Sequence, residues 1–395
     1  MLMNRLRPIM LVLHRVGPYH HARFQAASSV LAQHLVVLET RPDSQEYPWQ
    51  TADQKPTYTL KQLCGSVDPE KDPPNQVLKK QLQTFLEKFE PQVIVIVGWS
   101  DPAYLQLLLM AHRSYIPLVL ISDSRKKDMK RHFLKEWVKQ QLLRGFSSAL
   151  VAGSQSQNYL LDLGFDKERI FYPWDVVDNN RFAEISSLII HDDTKEKPFI
   201  CVGRFIAEKN HQLLLEAYKL YQDEGGVRPL LLIGSGALQQ TIQQQCEKLP
   251  NPNLVKVLPF QQLEKLALFY GQAHAVILPS QKDTWGLVIN EAIACKIPVI
   301  VSNACGCADD LIEDGTSGWV FRSADSGSLL TCMKKSDIQT PAERVKMISA
   351  SQKLLSKFGL QNFADALVDA CQTSMTSYRR SKRSYLAAFA ILGGR

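Results

Sequence analysis

Phe199-Ile200-Cys201-Val202-Gly203-Arg204-Phe205-Ile206-Ala207-Glu208-Lys209-Asn210-His211 is an apolar run, a glycine, a charged turn and the start of a helical pattern. Such a run reads as a buried strand, and a glycine directly after it reads as a tight strand-to-helix turn. The same unit recurs on both sides. Further strands are predicted downstream at 230–233, 254–258, 275–278, 299–301 and 319–321, and helices alone from about Asp325. Upstream they are predicted at 9–13, 35–38, 93–97, 117–121, 149–151 and 169–171, with helices at 103–112 and 127–143. Strands alternating with helices predict parallel sheets with crossover helices, an α/β protein. The rhythm breaks twice. Residues 41–75 are polar and proline-dotted and read as loop or weak structure, and 171–198 reads as an interdomain linker. The expected organisation is 1–180, 181–360 and a helical 361–395 read as crossing back to the first domain. Two doubly wound domains would face each other across a cleft, with ligands beyond the carboxyl ends of the strands.

Composition narrows the class. The chain has 395 residues, 45% hydrophobic and 22% charged, which excludes a mainly disordered, collagenous or coiled-coil protein. No apolar run approaches the roughly 18–20 residues needed to span a bilayer. Arg5 and Arg7 lead straight into Pro8 and the first strand, so no signal peptide is read there. The eight cysteines (64, 201, 246, 295, 305, 307, 332, 371) form no C-x-x-C pair. Cys201 and Cys295 read as small core residues, Cys305-x-Cys307 lacks ligand partners for zinc, and a reducing compartment is expected, hence the cytoplasm. The net charge of +7 is concentrated: 125–144 holds eight basic residues against Asp128 and Glu136, a surplus of six. Arg379, Arg380, Lys382 and Arg383 form a second basic cluster. Such fields recruit anions without choosing among them.

The turns carry the chemistry. After the first strand come His14, Gly17 and His20, where a bare backbone and a helix start suit a phosphate or simply make a turn. After Val202, Arg204 and Lys209 suit a diphosphate, the first with its planar fork and the second as a point charge; the alternative is a solvated loop. The third turn is Pro279-Ser280-Gln281-Lys282-Asp283-Thr284-Trp285-Gly286-Leu287-Val288-Ile289-Asn290-Glu291. Two carboxylates eight positions apart suit sugar hydroxyls, because ionised carboxylates only accept. One helix-capping Asp and one first-turn Glu would look the same.

Taken in order, these landmarks resemble the donor-binding domain of the retaining family-4 glycosyltransferases of the GT-B fold, the glycosyl transferases group 1. The matching residues are Gly203-Arg204 with Lys209, Ile233-Gly234-Ser235-Gly236-Ala237-Leu238, Leu278-Pro279-Ser280, Asp283 and Glu291 with Gly286-Leu287-Val288, Pro298-Val299-Ile300, and Asp314-Gly315-x-x-Gly318. The first half is similar at Gly17-Pro18-Tyr19-His20 and Gly98-Trp99-Ser100-Asp101. The resemblance implies two Rossmann-like domains and a hexosyl transfer from a nucleotide-sugar donor to a glycan or lipid-linked acceptor, in polysaccharide biosynthesis, with retention and with neither metal nor cofactor. It implies that Gly203, Arg204 and Lys209 bind the donor diphosphate, that Glu291 holds the ribose, and that Asp283 with backbone groups around Trp285, Gly286 and Leu287 holds the donor sugar. Arg204, Lys209 and Asp283 would be the catalytic set. Gly17 would let the first-domain loop reach the distal phosphate.

Two departures stand out. The family's usual Glu is Asp283 here, about one methylene shorter. A His common after the fourth strand of the first domain is missing from Leu120-Ile121-Ser122-Asp123-Ser124-Arg125, so Asp123 or Ser124 takes its place or the role is absent; His14 and His20 are the other polar candidates on the acceptor side. In the basic segment, Phe133, Leu134, Trp137, Val138 and Leu142 lie on one side of a helix. That side either meets an anionic membrane, placing the protein at the inner face of the membrane, or faces the core. Nucleic acid is not an expected partner. Two rival readings are an epimerase of nucleotide sugars and a non-catalytic sugar- or membrane-binding scaffold, since fold does not dictate function.

Overall fold

The computed structural model describes residues 7–32, 34–41, 55–63, 75–129, 131–189, 196–378 and 380–393. Arg5, Cys64, Lys130, Arg379, residues 190–195 of the expected linker and most of 41–75 lie outside the described residues. The chain divides into two units. The first takes the chain up to Val176 and again from Leu360; the second is Val177–Gly359.

The first unit opens with β1 (Ile9–Leu13), α1 (Pro18–Val30), β2 (Leu35–Glu39), β3 (Thr59–Gln62), α2 (Asn75–Phe89), β4 (Val93–Val97) and α3 (Pro102–Ser114). It continues with β5 (Leu118–Ser122), α4 (Phe133–Leu143), β6 (Ser148–Val151), α5 (Ser154–Asp162) and β7 (Ile170–Phe171). The strands form one parallel sheet in the order β3-β2-β1-β4-β5-β6-β7. β1 sits between β2 and β4, with Ile9 opposite both Leu35 and Val93. Val93-Ile94-Val95-Ile96 is buried throughout because helices cover both faces of such a sheet.

The second unit holds α6 (Asn179–Ser187), β8 (Phe199–Val202), α7 (His211–Asp223), β9 (Leu230–Ile233), α8 (Gln239–Glu247), β10 (Val255–Leu258), α9 (Leu263–Gly271) and β11 (Ala275–Leu278). It ends with α10 (Leu287–Ala294), β12 (Val299–Ser302), α11 (Ala308–Leu311), β13 (Trp319–Phe321), α12 (Ser326–Asp337) and α13 (Pro341–Leu355). Its sheet order is β10-β9-β8-β11-β12-β13, again parallel and doubly wound about a central first strand. The chain then returns to the first unit as α14 (Leu360–Thr376) and α15 (Lys382–Gly393). α14 lies on α1 and the sheet, where Ser148 Oγ donates to the Ala370 carbonyl at 2.6 Å. α15 packs against α3 and α4, with Ser384 Oγ donating to the Leu142 carbonyl at 2.8 Å.

The structure corrects three expectations. Thr59–Gln62 inside the supposed loop is an edge strand; its outer positions are exposed, so it lacks an apolar run. The strand followed by Asp123 is therefore the fifth of its sheet, not the fourth. The expected linker contains α6, whose start is capped by Asp178 Oδ1 accepting from the Arg181 N–H at 3.0 Å and whose Phe182 is fully buried. The helix expected over 127–143 is broken. Lys126–Asp128 is a 3-10 turn, Met129 is extended, and α4 begins only at Phe133. Asp128 accepts from the Arg125 backbone N–H at 2.6 Å and from its guanidinium at 2.7 Å, while Arg131 Nε donates to the Lys126 carbonyl at 2.9 Å. Local side-chain bonds of this kind offer the backbone an alternative to continuing a helix.

Candidate functional site

In the second unit the turns after β8 and β11 meet. Lys209 closes a 3-10 turn (Ala207–Lys209) two residues before α7, and its Nζ donates to Asp283 Oδ2 at 2.6 Å. Burial alone pulls the Lys209 ammonium down; the Asp283 carboxylate outweighs it, and the pKa is held above its ordinary value. Ser280 Oγ also donates to Asp283 Oδ2, at 3.4 Å. Asp283 is tied by backbone as well, since its carbonyl accepts from the Gly306 N–H at 3.0 Å. Arg204 is exposed in the same loop as Lys209, close enough for its charge to act on the Lys209 ammonium.

Gly286 precedes α10 with φ +106, a left-handed conformation that only glycine adopts without strain. A Cβ there would also come within 2.7 Å of Leu278 Cδ2 and 3.8 Å of Asp283 Oδ2. Of the first N–H groups of α10, that of Ile289 is given to the Gly286 carbonyl. Those of Leu287 and Val288 have no partner inside the helix, so the positive end of α10 opens beside the Asp283 carboxylate. Trp285 is different in kind. Its ring is buried, donates Nε1–H to Asn290 Oδ1 at 2.8 Å and packs on Phe358, so its side chain holds the turn together rather than facing a ligand. Glu291, 2% exposed, lies one turn into α10 and accepts from the Tyr270 hydroxyl at 2.7 Å. Gly203 follows β8 and Gly234 follows β9 so closely that a Cβ on Gly234 would sit 1.9 Å from the Gly203 carbonyl oxygen. The two turns therefore stack backbone on backbone, keeping the Arg204 loop at the sheet's carboxyl end.

Sequence reasoning missed two side chains. Tyr270 stands on α9, far in sequence from the Glu291 it orients. His211 is buried at the start of α7, edge-on to Phe205 at 4.9 Å, and neither ring nitrogen has a hydrogen-bond partner. Burial, then the Lys209 charge, pushes its pKa down to about 4.

The remaining candidates belong to the first unit. His14 Nε2 lies 2.9 Å from Asp101 Oδ2, and Arg41 donates to the same oxygen at 2.7 Å. Asp101 also caps α3 through the Ala103 N–H at 2.8 Å. Burial pushes this carboxyl up, but His14, the Ala103 N–H and Arg41 prevail and hold it below the usual range. His14 is exposed and stacks on Tyr104. His20 is enclosed by Phe24 and Trp174, its pKa is lowered to about 3 by burial and then by Arg23, and its Nδ1 accepts from the Gly17 N–H at 3.3 Å. It thus serves the start of α1. Asp123 accepts from Ser156 Oγ through its backbone carbonyl at 3.0 Å, and the Ser124 N–H donates to Ser122 Oγ at 3.3 Å. The structure brings Gly203, Lys209, Asp283 and Gly286 together, with Arg204 alongside. Asp123 and Ser124 sit at the end of β5, and Gly17, His14 and His20 at the end of β1.

Residues 188–353 match the model of the family Glycosyl transferases group 1. Two relatives are similar over part of the chain. The D-inositol 3-phosphate glycosyltransferase of Mycolicibacterium smegmatis is 30% identical over 190 residues, 47% of this chain and 42% of that protein. The capsular polysaccharide biosynthesis glycosyltransferase CapM of Staphylococcus aureus is 24% identical over 208 residues, 51% of this chain and 49% of that protein. The chain thus spans about half the length of the curated relatives it matches. The crystal structure of Anabaena HepE in complex with UDP and glucose superposes with a TM-score of 0.69 at 17% identity, covering 92% of this chain and 98% of that one. The fold is that of the GT-B glycosyltransferases.

Two outcomes are expected of this geometry. Lys209→Met should lower unfolding stability by about 2 kcal/mol, because it strands the Asp283 carboxylate in a largely buried position. In urea melts of a double-mutant cycle, Asp283→Asn should cost less in the Lys209→Met background than alone; strictly additive losses would mean that the pair is not coupled. His211, depressed to about 4 from 6.5, binds its proton in the unfolded chain first. Its contribution is therefore complete above pH 6.5 and lost as pH falls toward 4, at about 1.4 kcal/mol per unit. A His211→Phe chain should show a flatter loss of urea midpoint across that window, and an unchanged profile would remove His211 from the account.

Proposed function

We propose that the chain is a retaining family-4 glycosyltransferase that moves a hexosyl group from a nucleotide-diphosphate sugar to a glycan or lipid-linked acceptor. The observation that carries this reading is the Lys209–Asp283 pair at the open start of α10, with Arg204 beside it and a buried, oriented Glu291 one turn on. A departing diphosphate needs positive charge where its own negative charge grows. Arg204, Lys209 and the Leu287 and Val288 N–H groups supply it, the last two from a fixed helix start. As the bond from the sugar's anomeric carbon to phosphate breaks, its electron pair goes to the phosphate oxygen. The acceptor hydroxyl bonds to the anomeric carbon from the same face, and its proton passes to that phosphate oxygen. On this route the chain supplies no covalent nucleophile and calls for neither metal nor cofactor. Donor binding would redirect Lys209 from Asp283 to phosphate and leave the carboxylate to accept from a sugar hydroxyl. Asp283 is shorter than the family's Glu, so the sugar must come closer to the turn. Glu291 accepts from the ribose, held in place by Tyr270. His14, exposed yet oriented by Asp101, is the first-unit group best placed to meet an acceptor, with Asp123 and Ser124 as further polar contacts and Gly17 for close backbone approach.

The acceptor side is also where we place contact with an anionic membrane, at the inner face of the membrane. No helix among the described residues is long and apolar enough to cross a bilayer. α4, however, splits its apolar residues. Leu142 is buried and Val138 packs on the core, while Phe133, Leu134 and Trp137 are 85%, 63% and 50% exposed. Several basic residues of the segment are paired internally: Arg125 with Asp128, Lys126 with Asp162, and Arg131 and Lys139 with Glu136. Lys127 and Lys135 remain exposed near the apolar end. The neighbouring α15 repeats the combination, with Leu386 and Phe389 exposed beside Lys382 and Arg383. Aromatic and aliphatic side chains ringed by lysines fit the headgroup region of an anionic bilayer and would repel a second copy of the same face.

HepE's complex makes UDP-sugars the first donors to try. Thermal melts with UDP-, GDP- and ADP-sugars in metal-free buffer should show one nucleotide raising the midpoint, by mass action on the folded state. Arg204→Ala should lower turnover roughly 100–1,000-fold, far more than it weakens donor binding. Unchanged turnover would refute that role, and an isomerised donor formed without acceptor would identify an epimerase. For the membrane surface, sedimentation with phosphatidylglycerol-containing vesicles should retain the protein, and phosphatidylcholine vesicles should not. Replacing Phe133, Leu134 and Trp137 together by Ser should abolish that retention, and equal retention of the variant would sink the idea.

A further inference from the structure

We infer that the second unit carries a second anion-binding site, separate from the donor turns, that takes a compact phosphate group. A cavity of about 260 Å³ opens among α6, α13 and the residues that lead into β8, β11 and β12. Among the described residues its polar lining is Ser186, Ser187, Lys197, Lys296 and Arg344, and none of these described lining residues is acidic. Three cations therefore line the cavity without a counter-charge among its described lining residues.

Arg344 is the decisive member. Its Nη1 is buried and has no hydrogen-bond partner. Burial, then the charge of Arg228, lowers its pKa to about 10, and no carboxylate offsets either effect. The neighbouring Arg228 shows what a purely structural arginine looks like here. It donates to Asp337 at 2.6 Å, to Glu196 at 3.1 Å and to the Lys197 carbonyl at 2.9 Å. Burying a cation without a partner is costly, so such a group normally has one. A phosphate would supply it, because two oxygens match the guanidinium fork while lysines add point charge.

Position and size define the ligand. Lys197, Ala273 and Ile297 precede β8, β11 and β12, so the cavity lies at the amino-terminal edge of the sheet. Gly203, Arg204, Lys209 and Asp283 lie beyond the carboxyl ends of the same strands. The volume falls below the roughly 300 Å³ at which pockets for drug-sized ligands begin. Inorganic phosphate or a small phosphomonoester fits that limit, and a nucleotide sugar does not. The inference does not depend on the glycosyltransferase reading.

The test must keep the two anion sites apart. Titration calorimetry in chloride buffer would use inorganic phosphate and glycerol 3-phosphate, on the full chain and on its Arg204→Ala variant. Both chains should bind phosphate alike. Arg344→Gln should weaken that binding at least tenfold and Lys296→Gln about fivefold, with donor binding unchanged in each. Tighter binding of the ester would identify a phosphomonoester as the ligand, and equal binding would identify free phosphate. In phosphate-free buffer, Arg344→Gln should melt no lower than the unaltered chain, since it removes a half-buried cation whose Nη1 has no partner. A lower melting point there would make Arg344 structural and overturn the proposal. So would phosphate binding that survives Arg344→Gln, or binding lost only in Arg204→Ala.

Discussion

A parallel pair of strands cannot be closed by a hairpin; each strand must be followed by a crossover that returns to the same end of the sheet. In this chain that constraint applies in both sheets. Strands leave each sheet at its carboxyl edge, and the turns after β1, β4, β8 and β11 end near the start of a helix, with its bare N–H groups. Charged and polar residues placed in those turns are brought together whatever their separation in sequence. The meeting of Lys209 with Asp283, from turns 74 positions apart, is a direct result.

The site that results is compact, and its charged side chains have partners within the chain. Lys209 and Asp283 neutralise one another, Glu291 is oriented by Tyr270, and the start of α10 faces the carboxylate. On the function proposed above, a donor would exchange these internal partners for its own phosphates and hydroxyls. Arg344 differs in this respect. It sits at the opposite edge of the same sheet with its charge uncompensated, which is why it, and not the paired Arg228, marks a second anion site.

α4 shows how one sequence face can serve two ends. Its apolar residues share a side, yet the interruption at Met129 starts the helix late, and α15 and the sheet cover only its second half. Leu142 and Val138 are taken into the core, and Phe133, Leu134 and Trp137 are left outside among lysines. The core thus takes only the second half of this side, and the first half stays exposed.

What the residues alone determined was the run of apolar strands and the chemistry of the turns between them. Burial on both faces makes a parallel strand read as a continuous apolar run, and a tight turn demands glycine; both signals are local. Thr59–Gln62 escaped because an edge strand needs no such run, and α6 because Asp178, its cap, belongs to the residue types that also make linkers. Arg204, Lys209, Asp283 and Glu291 were legible as residue types suited to a phosphate and a sugar. Tertiary structure decided which of them touch, that Trp285 holds the turn with its ring, that His20 serves a helix start, and that Arg344 Nη1 is buried without a hydrogen-bond partner. Those outcomes rest on contacts between distant elements, and pairing, burial and desolvation exist only once the crossovers have brought those elements together.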